Sequence, residues 1–329
     1  MGRGGAGMLC MLSVLLLTSY TTSAHWAQPA AEQTAADASC ILTEEEPAWL
    51  TALMPTLTPQ STPQPTSTPV PRTVEDAELV ARLDELCAAQ PGGFSVYLKD
   101  LENGSVYLHA ADTLYYPAST LKAPYALWLC RMADDGTLDL DEELPNQFAG
   151  MLAGTTLEAY DASPTIPVRD LLHAMVTYSD NNAVTMLTSR WPAEENFESF
   201  LAELGFSAPE TCLITPDTGI LGAISARDLG LAMEALYAYF ETDSENAACL
   251  QQCFLAADHD ILYVPEGVSA AKKYGSWDYA YHDAAIVYAA HPYLLVCMTD
   301  QGDEEVDFPA QPTAAMQTLG QIVYDWLNG

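Results

Sequence analysis

The sequence predicts an α/β protein of the α+β kind, with a five-stranded antiparallel sheet flanked by helices and an additional all-helical subdomain. Three observations lead to this fold class. Two alternating apolar runs meet at Asn103-Gly104, helical patterns dominate from Ser119 to about Ala256, and three further strand patterns precede an amphipathic C-terminal helix. Terminal helices that flank the strands in the chain are expected to cover one face of the sheet.

The first element of the folded domain is predicted to be a helix. Residues 73–76 (Thr-Val-Glu-Asp) have the character of a helix N-cap, and Leu79, Leu83 and Leu86 follow at helical spacing. This helix comes before the first strand pattern.

The strands are predicted from alternating or continuous apolar runs. Asn103-Gly104 supplies the positive φ angles of a tight hairpin turn between the first two runs. The predicted strands are 94–98, 105–108, 270–274, 284–289 and 294–299. The last helix is predicted after Pro312, because one helical face then carries Met316, Leu319, Ile322, Val323 and Trp326.

The N-terminus has the pattern of an export signal. We predict a signal peptide over residues 1–24. Its features are a positively charged N-terminus, an apolar stretch from Met8 to Leu17 and small residues near Ala24. The apolar stretch is well short of the ~20 residues that a membrane-spanning helix needs. Residues 25–72 are predicted to be a Pro/Thr/Ser-rich linker, with the clearest change of composition between Pro55 and Arg72. We therefore expect a secreted or extracytoplasmic protein whose domain, residues 73–329, the linker tethers to a membrane or wall.

Net charge argues against nucleic-acid binding. The 329-residue chain has 11 Lys+Arg against 45 Asp+Glu, a formal net charge of -34. Such a surface repels phosphate backbones and anionic lipid headgroups. The acidic residues lack calcium-loop spacing, so solvated faces explain them.

Cysteine usage predicts neither a metal site nor a complete disulfide set. Of 8 cysteines, Cys10 lies in the signal, and the seven that remain are an odd number. Cys249 and Cys253 are spaced as metal ligands on a helix would be, but no second ligand pair at zinc spacing occurs among the 6 histidines. Core thiols are the favoured interpretation, and we expect no metal and no cofactor.

The first chemical motif is Ser119-Thr120-Leu121-Lys122. If Ser119 begins a helix, Lys122 lies one turn later on the same face, where a neutral lysine can accept the serine proton. The start of a helix also directs free backbone N–H groups at a developing oxyanion. A second Ser-x-x-Lys, Ser269 to Lys272, lies in a strand pattern, where residues three apart point to opposite faces.

Two more motifs follow in order. Ser179-Asp180-Asn181 taken alone fits an ordinary helix cap, and Lys273-Tyr274-Gly275 taken alone fits an edge strand. Three of the chain's four lysines nevertheless fall in or beside these motifs. Their joint order and spacing indicate one catalytic site.

The region 73–329 resembles the class A β-lactamase and penicillin-recognising serine hydrolase family, which carries Ser-x-x-Lys, Ser-Asp-Asn and Lys-Thr/Ser-Gly in this order. The resemblance extends to Tyr-Pro-Ala before Ser119 and to the strand beginning His282-Asp283. It implies a β-lactamase/transpeptidase-like fold in which Ser119 is the acylated nucleophile, Lys122 its base and Ser179 a proton relay to the leaving nitrogen. It further implies that Asn181 binds the substrate amide and that Lys273 binds the substrate carboxylate and lowers the pKa of Lys122. Gly275 belongs to the last motif. The backbone N–H groups of Ser119 and Ser276 are implied to bind the oxyanion.

Three departures from that family concern release of the acyl group and carboxylate binding. The glutamate that activates the deacylating water is missing, and Asp217 is the one acid in 211–225 that could act as a weaker base. Thr185 stands where the family has the asparagine that steadies this glutamate. Tyr274 replaces the hydroxyl residue that binds the carboxylate, and no arginine follows on the next strand.

We therefore expect a monomeric serine hydrolase that opens a β-lactam, or a related D-alanyl amide, through an acyl-Ser119 intermediate that it releases slowly. Two alternatives stay open. One is a D-Ala-D-Ala peptidase-like enzyme that acts on cell-wall peptides, and the other is a sensor module that binds β-lactams or wall fragments without turnover.

Overall fold

The computed structural model describes residues 72–303 and 305–329, so the predicted signal peptide 1–24 and all of the predicted linker except its last residue lie outside the described residues. Twelve strands are described: β1 (Arg72–Thr73), β2 (Phe94–Asp100), β3 (Ser105–His109), β4 (Leu114–Tyr115), β5 (Glu143–Pro145), β6 (Thr165–Pro167), β7 (Leu213–Thr215), β8 (Gly219–Leu221), β9 (Ile224–Ser225), β10 (Ser269–Trp277), β11 (Ala280–Tyr288) and β12 (Tyr293–Thr299). Eight α-helices accompany them: α1 (Ala77–Ala88), α2 (Lys122–Asp134), α3 (Val168–Thr177), α4 (Asn181–Arg190), α5 (Glu195–Leu204), α6 (Ala226–Phe240), α7 (Glu245–Leu255) and α8 (Ala310–Asn328).

The predicted five-stranded antiparallel sheet is confirmed. Its strand order is β3-β2-β12-β11-β10, and every neighbouring pair among these five is antiparallel. The two-residue strand β1 extends the sheet by pairing in parallel with β3. Arg72, which the sequence assigned to the linker, is therefore already part of this sheet.

Both faces of the strand β12 are buried, which explains why it is almost continuously apolar. On β12, Leu295 and Cys297 face the layer formed by α1 and α8, whereas Leu294 and Val296 face the core that includes α6 and the helical region. The helical subdomain, α2 to α5 with α7, shares that second core. The expected terminal-helix layer is thus present on one face.

The first helix begins as its sequence indicates. Asp76 is the N-cap of α1, and its carboxylate accepts hydrogen bonds from the N–H groups of Glu78 and Leu79. Leu79 and Leu83 are buried, and each buried leucine of this kind contributes about 1.5–3 kcal/mol to folding.

Two details differ from the predictions. The hairpin turn is a four-residue loop, 101–104, in which Gly104 alone takes a positive φ (75°) and the Asp100 carboxylate accepts from Asn103 N and Nδ2. Helix α8 begins at Ala310, before Pro312 rather than after it. A proline in the first turn removes no intrahelical hydrogen bond, so it does not delay the start of the helix.

The described cysteines are all free thiols, and Cys253 is buried whereas Cys249 is half-buried. Within the described residues no group of three or more metal-ligating side chains forms a metal site. No helix in the same part of the chain is both long enough and apolar enough to cross a membrane.

Candidate active site

Ser119 lies in a short 3₁₀ helix rather than at the start of an α-helix. The 3₁₀ turn spans Ala118–Leu121, and α2 follows directly from Lys122. Ala118 takes a positive φ of 46°, an unfavourable value for a residue with a Cβ atom. The backbone is therefore bent sharply immediately before the serine.

Ser119 is half-buried and lines a cavity of about 350 Å³. The walls of the cavity come from the turn that carries Ser119, from helix α4, from the β7–β8 hairpin and from the end of β10. The lining residues are Tyr116, Ala118, Ser119, Asn181, Val184, Thr185, Thr215, Thr218, Gly219, Ile220, Ser276 and Trp277.

Lys122 is fully buried, and its ammonium is held by the Ser-Asp-Asn segment. Nζ donates to the carbonyl oxygen of Ser179 at 2.6 Å, to Ser179 Oγ at 3.2 Å and to Asn181 Oδ1 at 2.8 Å. Burial lowers the pKa of Lys122 to about 7, although the charge of Asp180 opposes this shift. The lysine can consequently lose its proton near neutral pH.

The structure does not show a hydrogen bond between Lys122 and Ser119. All three hydrogens of the Lys122 ammonium are used by Ser179 and Asn181, so the charged lysine has none left for Ser119 Oγ. Loss of one proton gives Nζ a lone pair. Ser119 and Lys122 lie three residues apart across the junction of the 3₁₀ turn and α2, a spacing at which side chains of a helix are neighbours.

Ser179 and Asp180 form a bent segment that also begins a helix. Ser179 takes a positive φ of 61°, and Asp180 caps α4 by accepting from Ala183 N at 3.0 Å. The second carboxylate oxygen of Asp180 accepts from the hydroxyl of Thr156. The helix-cap interpretation of this motif is therefore confirmed, and the same segment also contacts the Lys122 ammonium.

Lys273 joins the same cluster from β10. Its buried ammonium donates to Ser179 Oγ at 3.0 Å and to the carbonyl of Tyr274 at 2.9 Å. Burial, reinforced by the nearby charge of Lys122, lowers the pKa of Lys273 well below its ordinary value, while Asp283 opposes the shift. Two lysines thus contact one serine oxygen.

This arrangement fixes the direction of the Ser179 hydroxyl. A hydroxyl oxygen has two acceptor sites and one donor hydrogen. Both acceptor sites of Ser179 Oγ are occupied by Lys122 and Lys273, so its own hydrogen can be donated to a third group.

Gly275 allows β10 to approach the serine closely. A Cβ atom at this position would lie 2.9 Å from Ser119 N and 3.0 Å from the carbonyl oxygen of Pro117. Ser276, the next residue, lines the cavity together with Ser119. The two residues expected to form the oxyanion hole are therefore at the same cavity.

Tyr274 and Asp217 lie outside the Ser119 cavity. The ring of Tyr274 packs against His259 at 4.8 Å and Phe308 at 5.6 Å between centroids. Asp217 is exposed in the β7–β8 turn and lines a neighbouring cavity of about 580 Å³ that does not include Ser119. No aspartate or glutamate is among the described residues that line the Ser119 cavity.

Sequence reasoning missed two residues of this region. Trp277 lines the cavity although 60% of its surface is exposed, and no motif points to it. His282 is buried beneath the turn that carries Ser119 and donates to the carbonyl of Tyr116 at 2.8 Å. The resemblance includes His282 in its pattern but gives it no task.

Known proteins resemble this chain in sequence and in fold. The profile of the Beta-lactamase enzyme family matches residues 78–327. Beta-lactamase L2 of Stenotrophomonas maltophilia is 28% identical over 155 residues, which cover 46% of this chain and 51% of that protein. The alignment thus spans about half the length of that curated relative.

Solved structures of similar fold include penicillin-reactive proteins and β-lactamases. The structure of PBP-A has a TM-score of 0.66 and 20% identity and covers 78% of this chain and 98% of its own. A PBP-A mutant was solved as its acyl-enzyme complex with penicillin G, with the same score and coverage. A class A β-lactamase from Mycobacterium abscessus has a TM-score of 0.62 and 20% identity and covers 76% of this chain and 100% of its own. Fold, motif order and a family match over most of the chain lead to one conclusion: this protein belongs to the Beta-lactamase enzyme family and has the fold of the penicillin-reactive serine hydrolases.

Proposed function

We propose that this protein is an exported serine hydrolase that opens β-lactams through an acyl-Ser119 intermediate and releases the acyl group slowly. Two observations support the proposal: Lys122, Ser179 and Lys273 form one hydrogen-bonded cluster, and Ser119 lines a cavity that no carboxylate of the described residues lines.

Acylation proceeds by transfer of one proton around the cluster. Neutral Lys122 accepts the hydrogen of Ser119 Oγ while that oxygen bonds to the lactam carbonyl carbon. The N–H groups of Ser119 and Ser276 donate to the oxyanion. Lys122 then passes a proton through Ser179 Oγ to the lactam nitrogen, the C–N bond breaks, and the ester remains on Ser119. The family resemblance assigns Lys273 the positive charge that attracts the substrate carboxylate, a role it fills only in its protonated form because burial lowers its pKa.

Deacylation lacks an equivalent base. The incoming water must lose a proton as it attacks the ester, and a positioned general base accelerates such a step by about 10²–10⁴-fold. Asp217 is exposed in a neighbouring cavity, and Thr185, which lines the Ser119 cavity, directs its hydroxyl back to the carbonyl of Asn181 at 3.0 Å. Slow release is the expected result.

The same slow release favours a second candidate, a D-Ala-D-Ala peptidase-like enzyme that acts on cell-wall peptides, for which rapid turnover of β-lactams is unnecessary. Export through residues 1–24 and tethering through residues 25–72 would place either enzyme outside the cytoplasm, and we propose that it acts there as a monomer. Release of D-alanine from a wall peptide distinguishes this peptidase from a β-lactamase.

Labelling with a fluorescent penicillin tests the proposed function. We expect stoichiometric labelling of the parent protein and none of Ser119→Ala. Ser269→Ala is the matched control, since it removes the serine of the other Ser-x-x-Lys and should label normally. An unlabelled parent that still binds wall fragments, with equal affinity in Ser119→Ala, would instead support a sensor that does not react.

A further inference from the structure

His282 lies beneath the catalytic turn and has no task in the reaction described above. It sits on β11, opposite Gly275 of β10, and its side chain is completely buried. Nε2 lies 2.8 Å from the carbonyl oxygen of Tyr116, and Nδ1 lies 3.2 Å from the backbone nitrogen of Thr299 on β12. The imidazole therefore connects the sheet to the chain segment that leads into Ser119.

These two partners determine the tautomer of His282. A carbonyl oxygen only accepts, so Nε2 carries a hydrogen, and the Thr299 N–H only donates, so Nδ1 has a free lone pair. Burial lowers the pKa of His282 to about 4, and the ring is accordingly neutral near pH 7. A second proton, on Nδ1, would point at the Thr299 N–H and break that hydrogen bond.

The hydrogen bond to the Tyr116 carbonyl matters because the backbone that follows is strained and needs support from its surroundings. Tyr116 is three residues before Ser119, and Ala118 between them takes a positive φ of 46°. A non-glycine residue in this conformation persists only where the surrounding structure maintains it. Gly275, the cross-strand partner of His282, leaves so little room that an added Cβ would lie 2.9 Å from Ser119 N. Contact from β10 and the hydrogen bond from β11 thus act on one short segment.

We propose that His282 is a positioning residue for acylation. By holding the Tyr116 carbonyl, it sets where the Ser119 N–H points relative to the Ser276 N–H, and so fixes the two donors that stabilise the oxyanion. This inference rests on the proposed function and adds to it a residue that does not contact the substrate. A displacement of about 1 Å at such a site lowers rates by about 10²-fold.

Two substitutions separate the two hydrogen bonds of His282. A glutamine amide nitrogen reaches about as far as Nε2 and can still donate to the Tyr116 carbonyl. An asparagine oxygen replaces Nδ1, so His282→Asn can still accept from Thr299 N but is too short for Tyr116. Comparison of the two variants therefore separates the effect of the hydrogen bond to Tyr116 from the effect of the hydrogen bond to Thr299.

The assay measures acylation by a penicillin as a function of its concentration, at a temperature where circular dichroism shows each variant to be folded. We expect His282→Asn to lower the limiting acylation rate about 100-fold and to change the dissociation constant of the non-covalent complex less than threefold. His282→Gln should stay within about tenfold of the parent rate. In the parent protein, imidazole ¹⁵N shifts should report the neutral Nε2–H tautomer at pH 7, a test that needs no variant to fold.

Equal limiting rates in the folded Asn and Gln variants would overturn the proposal, as would an Asn defect confined to the dissociation constant, or an Nδ1–H tautomer in the parent. A parent protein that is never acylated would instead refute the proposed function itself.

Discussion

The pH dependence of acylation follows from the burial of Lys122. With a pKa of about 7, about half of the molecules have a neutral Lys122 at pH 7, about 1% at pH 5 and nearly all at pH 9. The acylation rate should therefore rise about 100-fold between pH 5 and its plateau. An exposed lysine with a pKa of 10.5 would be neutral in only about 0.03% of molecules at pH 7.

Asp180→Asn perturbs this profile without removing a catalytic group. The Asp180 charge raises the pKa of Lys122, so its removal should move the acid limb of the profile to lower pH, by about one unit for a nearby charge. At pH 6 the variant should then acylate several-fold faster than the parent, with the same plateau at high pH. Asparagine is as good an N-cap as aspartate, so α4 should retain its start.

The measurement is the acylation rate with a chromogenic cephalosporin in rapid mixing from pH 5 to 9. Asp217→Asn is the matched control. It removes one carboxylate from the neighbouring cavity and should leave the acid limb of the pH profile unchanged. An acid limb unchanged in Asp180→Asn, or shifted to higher pH, would refute the assignment of Lys122 as the base.

Three further predictions concern release, packing and stability. Asp217→Asn should change the deacylation rate less than twofold in a pulse-chase measurement, and a tenfold loss would make Asp217 the missing base. Gly275→Ala should reduce the acylation rate about 100-fold, since its Cβ would lie 2.9 Å from Ser119 N. Ser269→Ala, at the exposed start of β10, is the control. Equal acylation rates in the Gly275→Ala variant and the parent would contradict the close approach of β10 to Ser119. Lys122→Met should abolish acylation yet raise the free energy of unfolding at pH 7 by about 1–3 kcal/mol in urea titrations, and a loss of stability would show that the buried ammonium is net favourable.

The contribution of Lys122 to the free energy of unfolding should also depend on pH in a defined direction. The folded chain releases the Lys122 proton near pH 7 and the unfolded chain near 10.5, so between these values the unfolded state binds more protons. The Lys122 contribution to stability therefore rises with pH across this window and is constant below it. Lys122→Met should lose this part of the pH dependence.

Local patterns were sufficient for the sheet and the terminal helices. The strands β11 and β12 are buried on both faces, so their apolar runs are long and easily distinguished from loops. Asp76 caps α1 as its position indicates. The loop after β2 could not be predicted in detail, because Asp100 organises it through hydrogen bonds that compete with a two-residue turn.

The site was predictable as a set of residues but not as a hydrogen-bond network. Motif order indicated Ser119, Lys122 and Ser179, whereas the use of all three Lys122 hydrogens by the Ser-Asp-Asn segment depends on how α2 meets that segment. The position of Asp217 in another cavity depends on the path of the β7–β8 hairpin. The sequence pattern included His282 but gave it no role, since its hydrogen-bond partners are backbone groups distant in the chain.

The central claim is that the site acylates efficiently and deacylates poorly, and time-resolved intact-protein mass spectrometry in excess penicillin tests it most directly. We predict that one acyl adduct on Ser119 forms within the first turnover, becomes the dominant species and outlasts removal of free penicillin. Rapid, sustained hydrolysis during which the protein keeps its unmodified mass would contradict the claim.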